Sequence, residues 1–309
     1  MKPMDEVHLL IRELDSLTAG EDAAAHLVSF GVLAIEPLRT FLLEGTPRKI
    51  FQPRLWAVKA LARLNAKEAL LEYLLQKRNI ADPQDRFGEE TVESAAARSL
   101  AAGRDEKIFQ FLMRLSDRRM LNGLIETLAE FKRPETIPYF ERALEDDFYR
   151  PAAEEAFPKL GKMACHALAA SAVTPRPNLS MESASSLQRR RSAMRLLNKI
   201  GTAAEHWQIL RRLVHEPDKE LVVSVSKIGM RFASHEDRKI IAHRLIELVS
   251  SAPWHLQENI EEMLVTLKNE SMVEIADEIA RRHAQQAVTQ APDERLLVLI
   301  RVRDRFAQA

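Results

Sequence analysis

The chain has 309 residues, 46% apolar and 29% charged, with 45 Lys plus Arg against 45 Asp plus Glu. This mixture excludes a disordered or collagen-like chain, and zero net charge argues against a dedicated nucleic-acid or membrane-surface binder. A count of 40 Leu and 40 Ala against 9 Gly and 10 Thr is the vocabulary of helices rather than strands.

In chain order, Met4 to Leu17 reads as an amphipathic capping helix, and its acids (Asp5, Glu6, Glu13, Asp15) do not match a signal peptide. Period-3.6 patterns then recur as pairs of short helices. The second helices of these pairs include Pro53 to Leu64, Glu90 to Ala102, Tyr149 to Gly161 and Arg189 to Gly201, and a further helix runs from Lys67 to Lys77. Helix ends align at Gly31, Asn65, Gly103, Lys132, Gly161, Gly201, Ala233 and Lys268, a spacing of about 34 residues that signifies a stacked helical array. Gly and Asn suit the left-handed residue that closes a helix, whereas Lys132, Ala233 and Lys268 adopt it at greater cost. Asn79 to Glu89, with Asp82-Pro83 and Phe87-Gly88, reads as a loop, and Ser171 to Leu187, rich in Ser and holding Pro175, Pro177 and Asn178, as a second and longer one. Pro158 is expected to kink its helix. Asp293 to Phe306 reads as a final helix.

The helices of the form Arg-x-x-Ala-x-x-x-Leu (Arg54, Ala57, Leu61 and Leu64; Arg150, Ala153, Phe157 and Leu160) resemble those of the HEAT-repeat family. Gly123 and Leu124 depart from it where Ala is usual. The resemblance implies an all-α fold, a right-handed α-α superhelix (α-solenoid) of about eight HEAT-like helix pairs with capping helices. It spans residues 1–309 as a single array, with a sub-boundary left open at the loop 171–187. It also implies that the second helix of each pair lines a concave surface.

No His-Glu-x-x-His, Walker-A, GxGxxG or Gly-x-Ser-x-Gly motif is present. The single Cys165 allows neither an intrachain disulfide nor a thiolate metal cage. Beside His166 in an apolar run, it reads as a buried structural cysteine. No catalytic residue, metal site or cofactor is expected. With no stretch approaching 18 apolar residues, a soluble cytoplasmic protein is.

Charge by rung is more informative. Arg191, Arg195 and Lys199 fall at i, i+4 and i+8 on one helix face, and Lys227 and Arg231 face outward on the next rung. Glu126 and Glu130 in the fourth repeat, and Glu258, Glu261 and Glu262 in the eighth, face out as acids. Residues 189–244 carry a balance of +7 and residues 245–294 one of −7. Two readings stand: a solvated face compensated by neighbouring rungs, or a basic patch (Arg191, Arg195, Lys199, Lys227, Arg231) for an acidic or phosphorylated partner segment. Trp56, beside Lys59 and Arg63, is either a binding anchor or core. Trp207 reads as core and Trp254 as a capping contact. The run Leu296 to Ile300 reads as a buried capping helix or as an exposed end for a partner.

A non-enzymatic protein-protein interaction scaffold is the leading expectation, binding an extended acidic segment. The alternatives are a nucleic-acid binder or HEAT-like DNA glycosylase-type enzyme, which the acidic rungs disfavour, and a bilin lyase-like enzyme component.

Overall fold

In the computed structural model, every regular element among the described residues (2–101, 105–176, 181–289 and 293–307) is a helix, and there is no strand. The helices fall into two compact units, one within residues 1–160 and the other within 161–309. The first contains α1 (Pro3–Glu13), α2 (Gly20–Ser29), α3 (Ile35–Glu44), α4 (Gln52–Arg63), α5 (Lys67–Leu75), α6 (Pro83–Ser99), α7 (Glu106–Ser116), α8 (Asn122–Glu130), α9 (Ile137–Ala143) and α10 (Arg150–Leu160). The second contains α11 (Cys165–Val173), α12 (Ala184–Ile200), α13 (Trp207–Leu210), α14 (Lys219–Phe232), α15 (His235–Leu248), α16 (Trp254–Thr266), α17 (Lys268–Thr289) and α18 (Glu294–Phe306). Among the described residues, no helix is long and apolar enough to cross a membrane.

Each unit is layered the same way. Every odd-numbered helix packs on the even-numbered one that follows it, and the even helices pack in series: α2, α4, α6, α8 and α10 in the first unit, α12, α14, α16 and α18 in the second. Small residues make this close stacking feasible. Ala57, Ala96, Ala97, Ala129, Ala153 and Ala193 are all buried on even helices. Gly123 shows why Ala is missing from α8: a Cβ there would lie 2.0 Å from the Ser94 carbonyl oxygen on α6. At the departure from the motif, α8 therefore approaches the backbone of α6 too closely for a side chain.

The arginine of the repeated motif fastens the end of the preceding odd helix. Arg54 donates to the carbonyls of Leu42 (3.0 Å) and Gly45 (3.1 Å) at the C-terminus of α3. Arg150 Nε donates to Leu144 O (2.9 Å) just past α9, and Arg142, on α9 and outside the motif, does the same for Ser116 O (2.8 Å) at the end of α7. Helix C-termini leave carbonyls without internal partners and carry partial negative charge, so a guanidinium there satisfies both.

Helix closure agrees with the aligned positions in part. Gly31, Asn65, Gly161 and Gly201 all have positive φ, and so does Lys132 at +53°; the cost expected of Lys132 did not divert the turn. Ala233 is extended, so that turn does differ, and Gly103 lies outside the described residues. The loop expected over Asn79 to Glu89 is shorter. Asp82 caps α6 by accepting from the backbone N–H of Gln84 (2.8 Å) and Asp85 (3.0 Å), with Pro83 as the first helical residue. Asp-Pro here begins a helix instead of marking a turn, and Phe87 and Gly88 lie inside it. The serine-rich loop likewise contracts to residues between Val173 and Ala184. Ser171 ends up in α11 and Ser185 and Ser186 in α12, where Ser183 is the cap; Pro177 and Asn178 lie outside the described residues. Pro158 sits in the last turn of α10, which continues through it to Leu160.

Candidate functional site

The five cations proposed from the sequence lie on α12 and α14, but they are not equally free. Arg191 clasps Asp218, with Nε 3.2 Å from Oδ1 and Nη2 on Oδ2, and its Nη1 is 3.2 Å from Glu220. The hydrogen bond to Asp218, acting against burial, raises the Arg191 pKa above its usual value. Arg195 lies 3.8 Å from Glu220 and donates to Ser192 Oγ (2.9 Å). Asp218 is the N-cap of α14 and Glu220 belongs to its first turn, where acids are favoured by the helix dipole. The upper half of the stripe is thus neutralised by the next rung. For Arg191 and Arg195 this is the compensated reading of the two that the sequence left open, and the acids come from the following even helix.

The remaining cations are exposed. Lys227 donates to Asn259 Oδ1 on α16 (2.6 Å), and Arg231 stands over the Phe232 ring at 5.6 Å. Lys199 makes no hydrogen bond or ion pair among the described residues. The +7 tally overstates the surface charge, since Arg189 and Arg190 are fully buried. The acidic rung is compensated in part: Glu261 receives Arg301 (2.8 Å) and Arg305 (3.6 Å) from α18.

Trp56 is a correction. Only 9% exposed, it packs against Gly20 of α2, where a Cβ would meet its ring at 2.2 Å. It belongs to the core, while Lys59 and Arg63 on the same helix are exposed. Trp207 is core as expected, its indole N–H donating to Asp237 (2.9 Å). The exposed tryptophan is Trp254, at 84%, standing at the start of α16 edge-on to His255. A residue in a first helical turn can face either way, and the sequence signal for capping did not choose. Cys165 is buried, and burial pushes its thiol pKa up, which suits an inert packing residue. In α18, Leu296, Val298 and Leu299 are buried and Leu297 is exposed, so the helix is mainly a cap.

A second constellation, in the first unit, escaped the sequence reading. Glu89 on α6 is buried and takes Arg54 bidentately (Nε 2.8 Å, Nη2 2.7 Å) and the Tyr73 hydroxyl (2.7 Å). Arg78 Nε lies 3.3 Å from the same carboxylate without forming a hydrogen bond, while its Nη1 donates to Gly45 O (2.8 Å). Two guanidiniums therefore share one buried carboxylate. Burial and the nearby Arg54 charge lower the Arg78 pKa from its usual value, and burial together with Glu89 holds Tyr73 well above its own. Arg119 pairs with buried Glu93 and donates to Gln76 O (2.9 Å) at the end of α5.

Beside this network a cavity of about 480 Å³ opens at the C-terminal ends of α5 and α7. Five cations line it: Lys77, Arg78, Arg114, Arg118 and Arg119. Its apolar wall is Leu74, Leu75, Phe111 and Leu115, and no carboxylate lines it. An adjoining cavity of about 560 Å³ shares Arg78, Arg118 and Arg119 and adds Glu89, Glu90, Glu93 and Tyr149. The signal that could have found this site is the basic pair that follows α5 and α7, Lys77-Arg78 and Arg118-Arg119. Attention to the even helices passed over it.

Among the described residues, no group of three or more His, Cys, Asp or Glu is placed to hold a metal ion. In comparison with known proteins, no family model matches the chain and no curated protein matches it significantly.

Proposed function

We propose that the chain is a non-enzymatic interaction scaffold of the HEAT-like α-solenoid kind, its helix pairs wound in each unit as a right-handed α-α superhelix. It holds an extended acidic or phosphorylated segment of a partner protein on the face built by the even helices. The observation that supports this most is the serial stacking of even helices, stitched by charged pairs reaching from one rung to the next. Arg98 pairs with Glu126 (2.9 Å), Lys159 with Glu130 (2.6 Å) and Arg191 with Asp218 and Glu220. Such stacks present long continuous surfaces without needing loops or cofactors.

Lys199, Lys227 and Arg231 are the cations this surface offers an acidic partner, with Lys227 exchanging Asn259 for a carboxylate or phosphate. The combined Lys199→Glu, Lys227→Glu and Arg231→Glu variant tests the reading by affinity capture and mass spectrometry. A partner captured by the parent and lost by the variant is the expected result. Arg191→Gln should change that capture less, because Arg191 is already engaged. Capture unchanged by the triple reversal would remove the even-helix face of the second unit from the proposal.

A further inference from the structure

We infer that the cavity between the C-terminal ends of α5 and α7 is a second binding site, which seats an apolar side chain of an acidic peptide while Lys77, Arg114 and Arg118 hold its carboxylates. The site lies on the odd-helix side of the first unit and does not rest on the even-helix reading.

Cations gather at helix C-termini for a general reason, the dipole and the unpaired carbonyls. That reason covers Arg78 and Arg119, which donate to the carbonyls of Gly45 and Gln76. The same dipole reaches Arg114, in the last turn of α7, and Lys77 and Arg118, just past the ends of α5 and α7, but it gives their side chains no carbonyl partner. All three are exposed, and their side chains make no hydrogen bond or ion pair among the described residues. They surround a wall of Leu74, Phe111, Leu115 and Leu75, the last 59% exposed. Like charges held around an apolar wall repel each other, and an occupant that is anionic at its edge and apolar at its centre answers both features.

An extended occupant fits better than a compact anion. Arg78, Arg118 and Arg119 line both this cavity and the adjoining one, whose lining reaches Tyr149. Beyond Tyr149 lies the half-exposed pair Phe87 and Phe148, edge-on with ring centroids 5.8 Å apart. A nucleic-acid strand fits worse, because Glu89, Glu90 and Glu93 line that middle stretch and would repel successive phosphates. A peptide can place a polar or basic residue there.

The test uses the full chain and a short fluorescein-labelled peptide alternating glutamate and leucine, read by fluorescence anisotropy at low salt. Comparison probes are the same peptide with glutamine for glutamate, a polyglutamate peptide and oligo(dT). Binding of the glutamate–leucine peptide is expected to weaken about tenfold or more in the Lys77→Glu, Arg114→Glu, Arg118→Glu variant, whose changes are at exposed positions. Phe111→Ala should weaken the glutamate–leucine peptide but not polyglutamate. Circular dichroism confirms that each variant remains helical. Equal binding of the glutamine peptide, insensitivity to the triple reversal, or tighter oligo(dT) binding with the same residue dependence would each overturn the site. Loss on reversing Lys199, Lys227 and Arg231 alone would also overturn it, while favouring the even-helix face; the two proposals therefore fail separately.

Discussion

Both units bury arginine to tie down the end of an odd helix, and they compensate the charge differently. In the first unit, Arg54 caps α3 and shares Glu89 with Arg78, Arg54 and Glu89 deep in the packing and Arg78 at its edge. In the second, Arg189 caps α11 through Ser171 O (2.8 Å) and Thr174 O (2.6 Å). Its neighbour Arg190 bonds Ala172 O (2.7 Å) and splits its remaining donors between Glu182 and Glu216, at 2.6 Å each. Those two carboxylates still touch water. One design thus depends on a single buried acid, whereas the other spreads the load over backbone carbonyls and half-solvated acids.

The largest expected effect follows directly. Glu89→Gln leaves buried Arg54 and half-buried Arg78 without their counter-charge and should cost about 3–5 kcal/mol, whereas Glu216→Gln, at a half-solvated acid, should cost about 1 kcal/mol or less. Urea unfolding measures both, and similar losses would erase the contrast between the units. Arg189→Met removes charged hydrogen bonds to helix-end carbonyls and should cost about 2–3 kcal/mol. Hydrogen exchange should place that loss at the end of α11.

The acids also differ in their pH response. Burial raises the Glu93 pKa despite Arg119, so its contribution is present below the ordinary carboxylate range and is lost as pH rises through its elevated folded value. Glu278 is lowered: burial opposes ionisation, but Arg282, Arg295 and Arg281 prevail. Asp293 is lowered by the hydrogen bond from Arg282. These two contribute stability above the ordinary carboxylate range and lose it as pH falls through their folded values. Acidification should therefore speed exchange at the N-terminus of α18 without a matching change around α6. Parallel acid sensitivity at both places would contradict this assignment. The smallest effect concerns the left-handed turns, made by Gly161 and Gly201 in the second unit but also by Lys132 in the first. Lys132→Gly should stabilise by about 0.5–1 kcal/mol, seen as a higher urea midpoint.

Helical class and the alternation of helices were legible in the sequence, because both follow from apolar periodicity and spaced helix ends. Asp82-Pro83 was misread because the same pair can open a turn or a helix, and only the packing of the following turn decides. The site was less legible. For Arg191 the sequence left a free and a compensated reading open, because its partners Asp218 and Glu220 lie one rung on, and for Trp56 an anchor and a core reading, because Gly20, which makes room for it, belongs to another helix. Surface charge in such a fold is a property of pairs of rungs, which no single helix displays.

The stitching between rungs has a consequence for how the protein is made. Its polar links are short in sequence: Arg54 meets Glu89, Arg98 meets Glu126 and Arg191 meets Asp218, while Arg119 to Gln76, at 43 residues, is among the longest. A chain with contacts this local closes only small loops as it folds. Each rung can dock soon after it leaves the ribosome, without waiting for the C-terminus, and the growing end exposes at most one unfinished interface at a time.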